Sequence, residues 1–320
     1  VHFLHIIRRK QKMLKQILKP NGEYNIGISK LDITDNFRNR LIPLQIYFPL
    51  SKGEHVPFDK LYETRSGNKF PQLETQVFAK PCDISEMSEY YPLVIFNHGN
   101  NGLMTDYAII LEEIVSHGFI VITIQHQLGL DKELPEYHSG RSISKHANVI
   151  DNILCVFDWL KNHNILSKHC DTSKICLIGH SMGGNALLML MSRISGQFRE
   201  GGDAMLSNST YVKECVIFLD GEYEVPTSSN IPILFCLSEE RKHYHEQSGV
   251  LKLLNKLGYK YIHYPGSKHI SFMDHAYVHA DNNLYFSGDF DKRTEFYINL
   301  RRNTLDFIHK HLEINYEKAK

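Results

Sequence analysis

The stretch Lys174-Ile175-Cys176-Leu177-Ile178-Gly179-His180-Ser181-Met182-Gly183-Gly184-Asn185-Ala186-Leu187-Leu188-Met189-Leu190-Met191-Ser192 decides how this chain is read. Ile175, Cys176, Leu177 and Ile178 form a continuous apolar run, the pattern of a strand buried on both faces. Ala186, Leu187, Leu188, Leu190 and Met191 follow at helical spacing. Gly179-His180-Ser181-Met182-Gly183 joins the two as a sharp turn. A serine on such a turn is lifted clear of the backbone but held in a sparsely populated φ/ψ region. The residues two places either side must be small, and Gly179 and Gly183 meet that need. The pentapeptide G-x-S-x-G alone is a weak signal; the strand before it and the helix after it make it a nucleophile elbow.

Working outward, residues 92–96 (PLVIF) and 119–124 are further apolar strands, separated by a helix that starts near Thr105 and ends at Gly118. Residues 146–162 read as a helix, and 216–219, 231–237 and 259–264 as strands. Helices are expected over 244–257 and 294–312. Apolar strands alternating with helices imply a mostly parallel central sheet flanked by helices, an α/β fold. Upstream, residues 23–33 and 41–48 read as a hairpin, and 51–90 as a long surface excursion. Residues 128–147 and 196–210 read as loops, the first over the site. No repeat or linker interrupts residues 21–320, which are expected to form a single domain.

Residues 1–20 differ in character. Leu4, Ile7, Leu14 and Leu18 share one helical face, while Arg8, Arg9, Lys10, Lys12, Lys15 and Lys19 lie elsewhere, and Pro20 stops the pattern. A basic amphipathic helix of this kind lies on anionic bilayers, so peripheral membrane contact is one expectation and docking on its own domain the other. The apolar residues precede the basic cluster, the reverse of a secretory signal. The six cysteines form no C-x-x-C pair and read as free thiols. A cytoplasmic location is therefore expected, with a leader ahead of Val1 or secretion by another route as the alternatives.

Composition excludes several classes. The 320 residues carry 36 Lys+Arg and 36 Asp+Glu, so no global field draws in nucleic acid. The longest apolar runs are strand-sized, too short for a membrane-spanning helix. His275 and His279 have the spacing of a helical metal pair but no glutamate of the H-E-x-x-H type, and no lysine completes a phosphate loop after Gly99. No metal or cofactor is expected.

Serine hydroxyl is a weak nucleophile, so Ser181 requires a base held by a carboxylate. Among 19 histidines, His269 has the right position, after the last short strand and the turn Pro265-Gly266-Ser267. His180 adjoins the serine and is expected to point away from it. For the acid, Asp220, Glu239 and Glu240 all follow apolar runs from which a loop reaches the imidazole. The oxyanion donors are expected to be the backbone N–H groups of Met182, at the elbow, and Asn100, after His98-Gly99.

From about Asn21 to His311 the chain resembles the α/β-hydrolases of the platelet-activating-factor acetylhydrolase type. The stretches that carry the resemblance are Tyr24-Asn25-Ile26-Gly27, Tyr47-Phe48-Pro49, PLVIFNHG at 92–99, Ser116-His117-Gly118-Phe119-Ile120-Val121, Gln125-His126, GHSMGG at 179–184 and His269-Ile270-Ser271-Phe272-Met273-Asp274. The resemblance implies Ser181 as nucleophile, His269 as base, Asp220 in preference to Glu239 as acid, and Asn100 and Met182 as oxyanion donors. Asn100 stands where the family often has an apolar residue, and Gly221-Glu222 where it tends to have an apolar or aromatic one. The implied activity is hydrolysis of carboxylic esters, with a small-molecule substrate bearing a short acyl group, such as a phospholipid. A thioesterase, peptidase or acyltransferase with the same triad, and a non-catalytic binding module, are the alternatives.

Overall fold

The computed structural model describes residues 15–36, 38–62, 73–126, 142–163, 166–194, 214–221, 230–278 and 286–312. The N-terminal half holds β1 (Lys15–Gln16), β2 (Tyr24–Asp35), β3 (Arg40–Lys52), β4 (Phe58–Tyr62), β5 (Leu73–Val77), β6 (Ala79–Pro81), β7 (Tyr91–Asn97), α1 (Ala108–Ser116) and β8 (Ile120–Ile124). Then follow α2 (Ser142–Asn162), α3 (Leu166–His169), β9 (Cys170–His180), α4 (Met182–Ile194), β10 (Cys215–Leu219) and β11 (Ile233–Ser238). The chain continues through α5 (Lys242–Gln247), α6 (Val250–Leu257), β12 (Lys260–Tyr264), α7 (His275–Val278) and α8 (Phe290–His311).

Nine strands form the main sheet in the order β12-β11-β10-β9-β7-β8-β3-β2-β6. From β12 to β8 every pairing is parallel; β3 is antiparallel to both β8 and β2. Because the parallel strands are covered on both faces, alternate residues of one strand enter different cores. Val94 and Phe96 of β7 join α1 and α8, while Leu93 and Ile95 join α2, α4 and α6 on the opposite face. This is the α/β arrangement expected from the alternation of strands and helices, and the α/β-hydrolase fold that the resemblance implies.

The topology also places the site. From β7 the chain crosses to β8 on one side, whereas β9, β10, β11 and β12 build outward on the other. The order reverses between β7 and β9, and loops leaving the carboxyl ends of strands at such a switch diverge to leave a crevice. Asn97 at the end of β7 pairs in register with Gly179 of β9, which brings the loop after PLVIF beside the elbow.

Several expectations need correction. The helical spacing read over residues 1–19 lies mostly outside the described residues, but Lys15–Gln16 is a strand pairing parallel with β5. The Ile17 N–H then donates to the Gln76 carbonyl, and Leu18 and Lys19 give their carbonyls to Arg301, so tertiary partners take the groups a helical turn would use. The excursion at 51–90 contributes β4 and β5 to a small second sheet with β1, and its Val77, Phe78 and Ala79 are buried. The helix expected over 244–257 is two helices, because Gly249 adopts φ 78° between them. Finally, α2 begins at Ser142 rather than near His146; the rest of the expected 128–147 loop, like that at 196–210, falls outside the described residues.

The final helix begins earlier than expected, at Phe290, because the Asp289 carboxylate caps it by accepting from the Lys292 N–H. All six cysteines are free thiols. No described helix is long and apolar enough to cross a membrane.

Candidate active site

The nucleophile elbow is built by contact. Ser181 stands at φ 52°, in the left-handed region, and is held there because its N–H donates to the Leu219 carbonyl at 2.9 Å and its carbonyl accepts from Asn185 N–H at 3.0 Å. A Cβ on Gly179 would lie 2.6 Å from the Gly183 carbonyl carbon, so the close crossing of β9 and α4 excludes any side chain.

The structure brings Ser181, His269 and Asp220 together. His269 Nε2 lies 2.9 Å from Ser181 Oγ, and His269 Nδ1 lies 2.8 Å from Asp220 Oδ2. Asp220 follows β10 at φ 48°, a strained value for a residue with a side chain. Its N–H donates to Cys236 at 2.8 Å, and its second carboxylate oxygen accepts from Ser238 N–H at 2.7 Å. Its carboxyl is fully buried, and burial raises its pKa. The His269 hydrogen bond, the Ser238 N–H and the positive charge of Arg241 outweigh that and hold it below the ordinary carboxylate value. An ionised acid on Nδ1 fixes the tautomer that leaves Nε2 free to take the serine proton.

The other two candidate acids have different partners. Glu240 accepts the backbone N–H of His269 at 2.8 Å, so it steadies the loop rather than the ring. Glu239 lies 3.5 Å from Lys242 Nζ.

His269 opens a short 3₁₀ turn, His269–Phe272, which is clamped from two directions. The Tyr297 hydroxyl, from α8, shares its proton between the carbonyls of Ser271 (2.8 Å) and Met273 (2.7 Å). Asp274 accepts from the first N–H groups of α1, Ala108 at 2.6 Å and Ile109 at 3.0 Å. That contact explains the last residue of the His-x-x-Phe-x-Asp stretch: it caps the helix that follows the turn after β7.

The turn after β7 passes close to the serine. A Cβ on Gly99 would sit 2.9 Å from Ser181 Cβ. The Gly99 carbonyl is 2.7 Å from His98 Nδ1, and His98 Nε2 accepts from the His126 N–H at 2.9 Å. Asn100 is the next residue and is exposed, and Met182 is the first residue of α4, whose N–H has no partner within the helix. Met182 thus follows the serine directly in the chain, and Asn100 follows the Gly99 that packs against it.

Behind this turn lies a polar network that sequence patterns do not reveal. His126 Nε2 lies 3.1 Å from Asn97 Oδ1 and its Nδ1 3.1 Å from Asn152 Nδ2. Arg40 reaches Asn148 and Asn152 and pairs with Asp35 at 3.2 Å. His180, expected to point away from Ser181, has its Nε2 3.0 Å from the carbonyl of His269. Among the described residues no group of three or more His, Cys, Asp or Glu side chains could hold a metal ion.

The platelet-activating factor acetylhydrolase, isoform II, family model matches residues 141–320, and a chlorophyllase family model matches residues 72–196. The platelet-activating factor acetylhydrolase of Gallus gallus is 25% identical over 290 residues, covering 71% of this chain and 63% of that protein. That of Canis lupus familiaris is 24% identical, covering 93% and 77% respectively. Cutinase 2 of Thermobifida cellulosilytica is 30% identical over 155 residues, which is 45% of this chain and 53% of the cutinase. The chain thus spans less than two thirds of the length of the chicken relative. Among solved structures, a ferulic acid esterase from Streptomyces cinnamoneus superposes with a TM-score of 0.68 at 15% identity over 93% of both chains, a likeness of fold. With more than half of its length matched, the chain belongs to the platelet-activating factor acetylhydrolase, isoform II, family.

Proposed function

We propose that this protein is a serine hydrolase of carboxylic esters. Ser181 attacks the ester carbonyl as His269 takes its proton; the N–H groups of Asn100 and Met182 receive the oxyanion; and the imidazolium, steadied by Asp220, returns the proton to the leaving alcohol. Water, activated by the same imidazole, then releases the acid from Ser181. The observation that carries this reading is the continuous relay Ser181 Oγ, His269 Nε2, His269 Nδ1, Asp220 Oδ2, with links of 2.9 and 2.8 Å.

The finer reading is that the preferred esters are lipid or phospholipid esters with a short acyl group. It is supported by the relatives named platelet-activating factor acetylhydrolase, one of which aligns over 93% of this chain. The test is a matched series: p-nitrophenyl acetate, butyrate and octanoate, and a glycerophosphocholine bearing an sn-2 acetyl group. Higher kcat/KM for the acetyl members, abolished in Ser181→Ala, is expected. Equal or better turnover of octanoate rejects the short-acyl preference, and faster cleavage of a matched thioester or amide rejects the ester class.

A further inference from the structure

The turn after β7, the elbow after β9 and the His269 segment after β12 are three separate loops, and one line of side chains spans them. Tyr107, immediately before α1, is fully buried with its ring packed on Phe96 at a centroid distance of 4.5 Å. Its hydroxyl accepts from the Gly99 N–H at 3.4 Å and lies 2.9 Å from His180 Nδ1. The other nitrogen of that ring, Nε2, lies 3.0 Å from the His269 carbonyl oxygen.

The direction of each bond follows. A carbonyl only accepts, so His180 Nε2 carries the proton; in a neutral imidazole Nδ1 is then an acceptor, and the Tyr107 hydroxyl must donate to it. Burial, with the neighbouring His269, pushes the His180 pKa down to about 3, which keeps the ring neutral near pH 7. Gly99 is therefore held on both sides, its N–H by Tyr107 and its carbonyl by His98.

We propose that Tyr107 and His180 are positioning residues for the hydrolysis described above: a strut fixing the Gly99 turn, which presents the Asn100 N–H, relative to the His269 backbone. The inference rests on the assignment of Ser181 and His269. Its physical basis is that an oxyanion donor works only within a few tenths of an ångström of its proper place, and neither the turn nor the 3₁₀ segment is held by strand pairing.

The test compares wild type with Tyr107→Phe, His180→Gln and the double variant on p-nitrophenyl acetate. Phenylalanine removes a single oxygen. Glutamine can keep a donor near the Nε2 position but offers no acceptor where Nδ1 stands. Tyr107→Phe is expected to lower kcat about tenfold with KM within about twofold, since the strut serves the transition state rather than binding. The double variant is expected to be no slower than the slower single variant, because the two residues act as one unit. Unchanged kcat in Tyr107→Phe, a change confined to KM, or losses that multiply overturns the proposal.

A measurement on the unaltered protein is independent of any variant's folding. The ¹⁵N shifts of the His180 ring are expected to show the Nε2–H tautomer with no titration from about pH 5 to pH 8. An Nδ1–H tautomer, or a titration in that range, overturns the strut. Wild-type turnover that Ser181→Ala abolishes is recorded in the same assay: its absence rejects the Ser181 assignment, whereas its presence with an unaffected Tyr107→Phe rejects the strut alone.

Discussion

Asp220 and Asp274 are both buried, with 0% and 1% exposure, the first directly after β10 and the second five residues beyond His269. Their partners differ. Asp220 offers one oxygen to a fixed N–H, that of Ser238, and the other to an imidazole that gains and loses a proton during the proposed reaction. Asp274 offers both to the N–H groups of Ala108 and Ile109, which never change charge. The same side chain, equally buried, thus serves chemistry in one place and architecture in the other, and the partner alone decides which.

The comparison breaks most sharply at Asp220. Asp220→Asn is expected to lower kcat by ~10³ to 10⁴, because the amide favours the wrong imidazole tautomer and cannot balance the imidazolium. Its urea midpoint should move less than that of Asp274→Ala. Steady-state kinetics and urea unfolding on the two proteins check both halves; equal losses of activity would erase the distinction. Asp274→Ala removes the acceptor of two N–H groups at the start of α1, and should lower unfolding free energy by about 2–3 kcal/mol while reducing kcat less than about tenfold.

His180 sharpens the contrast, since it joins the segments that the two aspartates fix. The unfolded chain protonates this histidine near pH 6.5, whereas the folded one stays neutral down to about 3. The unfolded state therefore binds more protons in that window, so stability falls as pH drops below about 6.5. At pH 5 this amounts to about 2 kcal/mol from His180. Burial holds His126 well below the ordinary histidine value too, and it acts with the same sign. Denaturant titrations at pH 7 and 5 should show the loss in wild type and a smaller one in His180→Gln; a stability that rises toward pH 5 would contradict the neutral assignment. The smallest effect belongs to Glu240, whose carboxylate accepts the backbone N–H of His269. Glu240→Ala is expected to lower kcat about two- to fivefold without moving the urea midpoint.

What the sequence made legible follows the same division. The elbow is readable because strand periodicity, two obligatory glycines and helical periodicity meet within a short stretch. His269 is readable from its place after the last short strand. The acid is not settled by residue type, since Asp220, Glu239 and Glu240 all end apolar runs. The resemblance favours Asp220, and the spatial arrangement gives the ring to it and the backbone N–H of His269 to Glu240. Asp274 is visible as part of a motif, but its partner is a helix start more than 160 residues earlier in the chain. Helical spacing extended through Lys15 and Gln16, yet pairing with Leu73–Val77 makes that segment a strand, since periodicity knows nothing of distant edges. Gly249 was in view and still ended a helix that the apolar pattern carried through it.

The central claim is that Ser181 becomes an alkoxide equivalent because His269 and Asp220 converge on it. Its most direct test is to mix the protein with p-nitrophenyl acetate, quench within the first turnover, and map the acetyl group by peptide mass spectrometry. An acetyl group on the peptide containing Ser181, absent in Ser181→Ala and strongly slowed in Asp220→Asn, is the predicted result. Hydrolysis that persists in Ser181→Ala, or an acetyl group carried stoichiometrically by another residue, would contradict it.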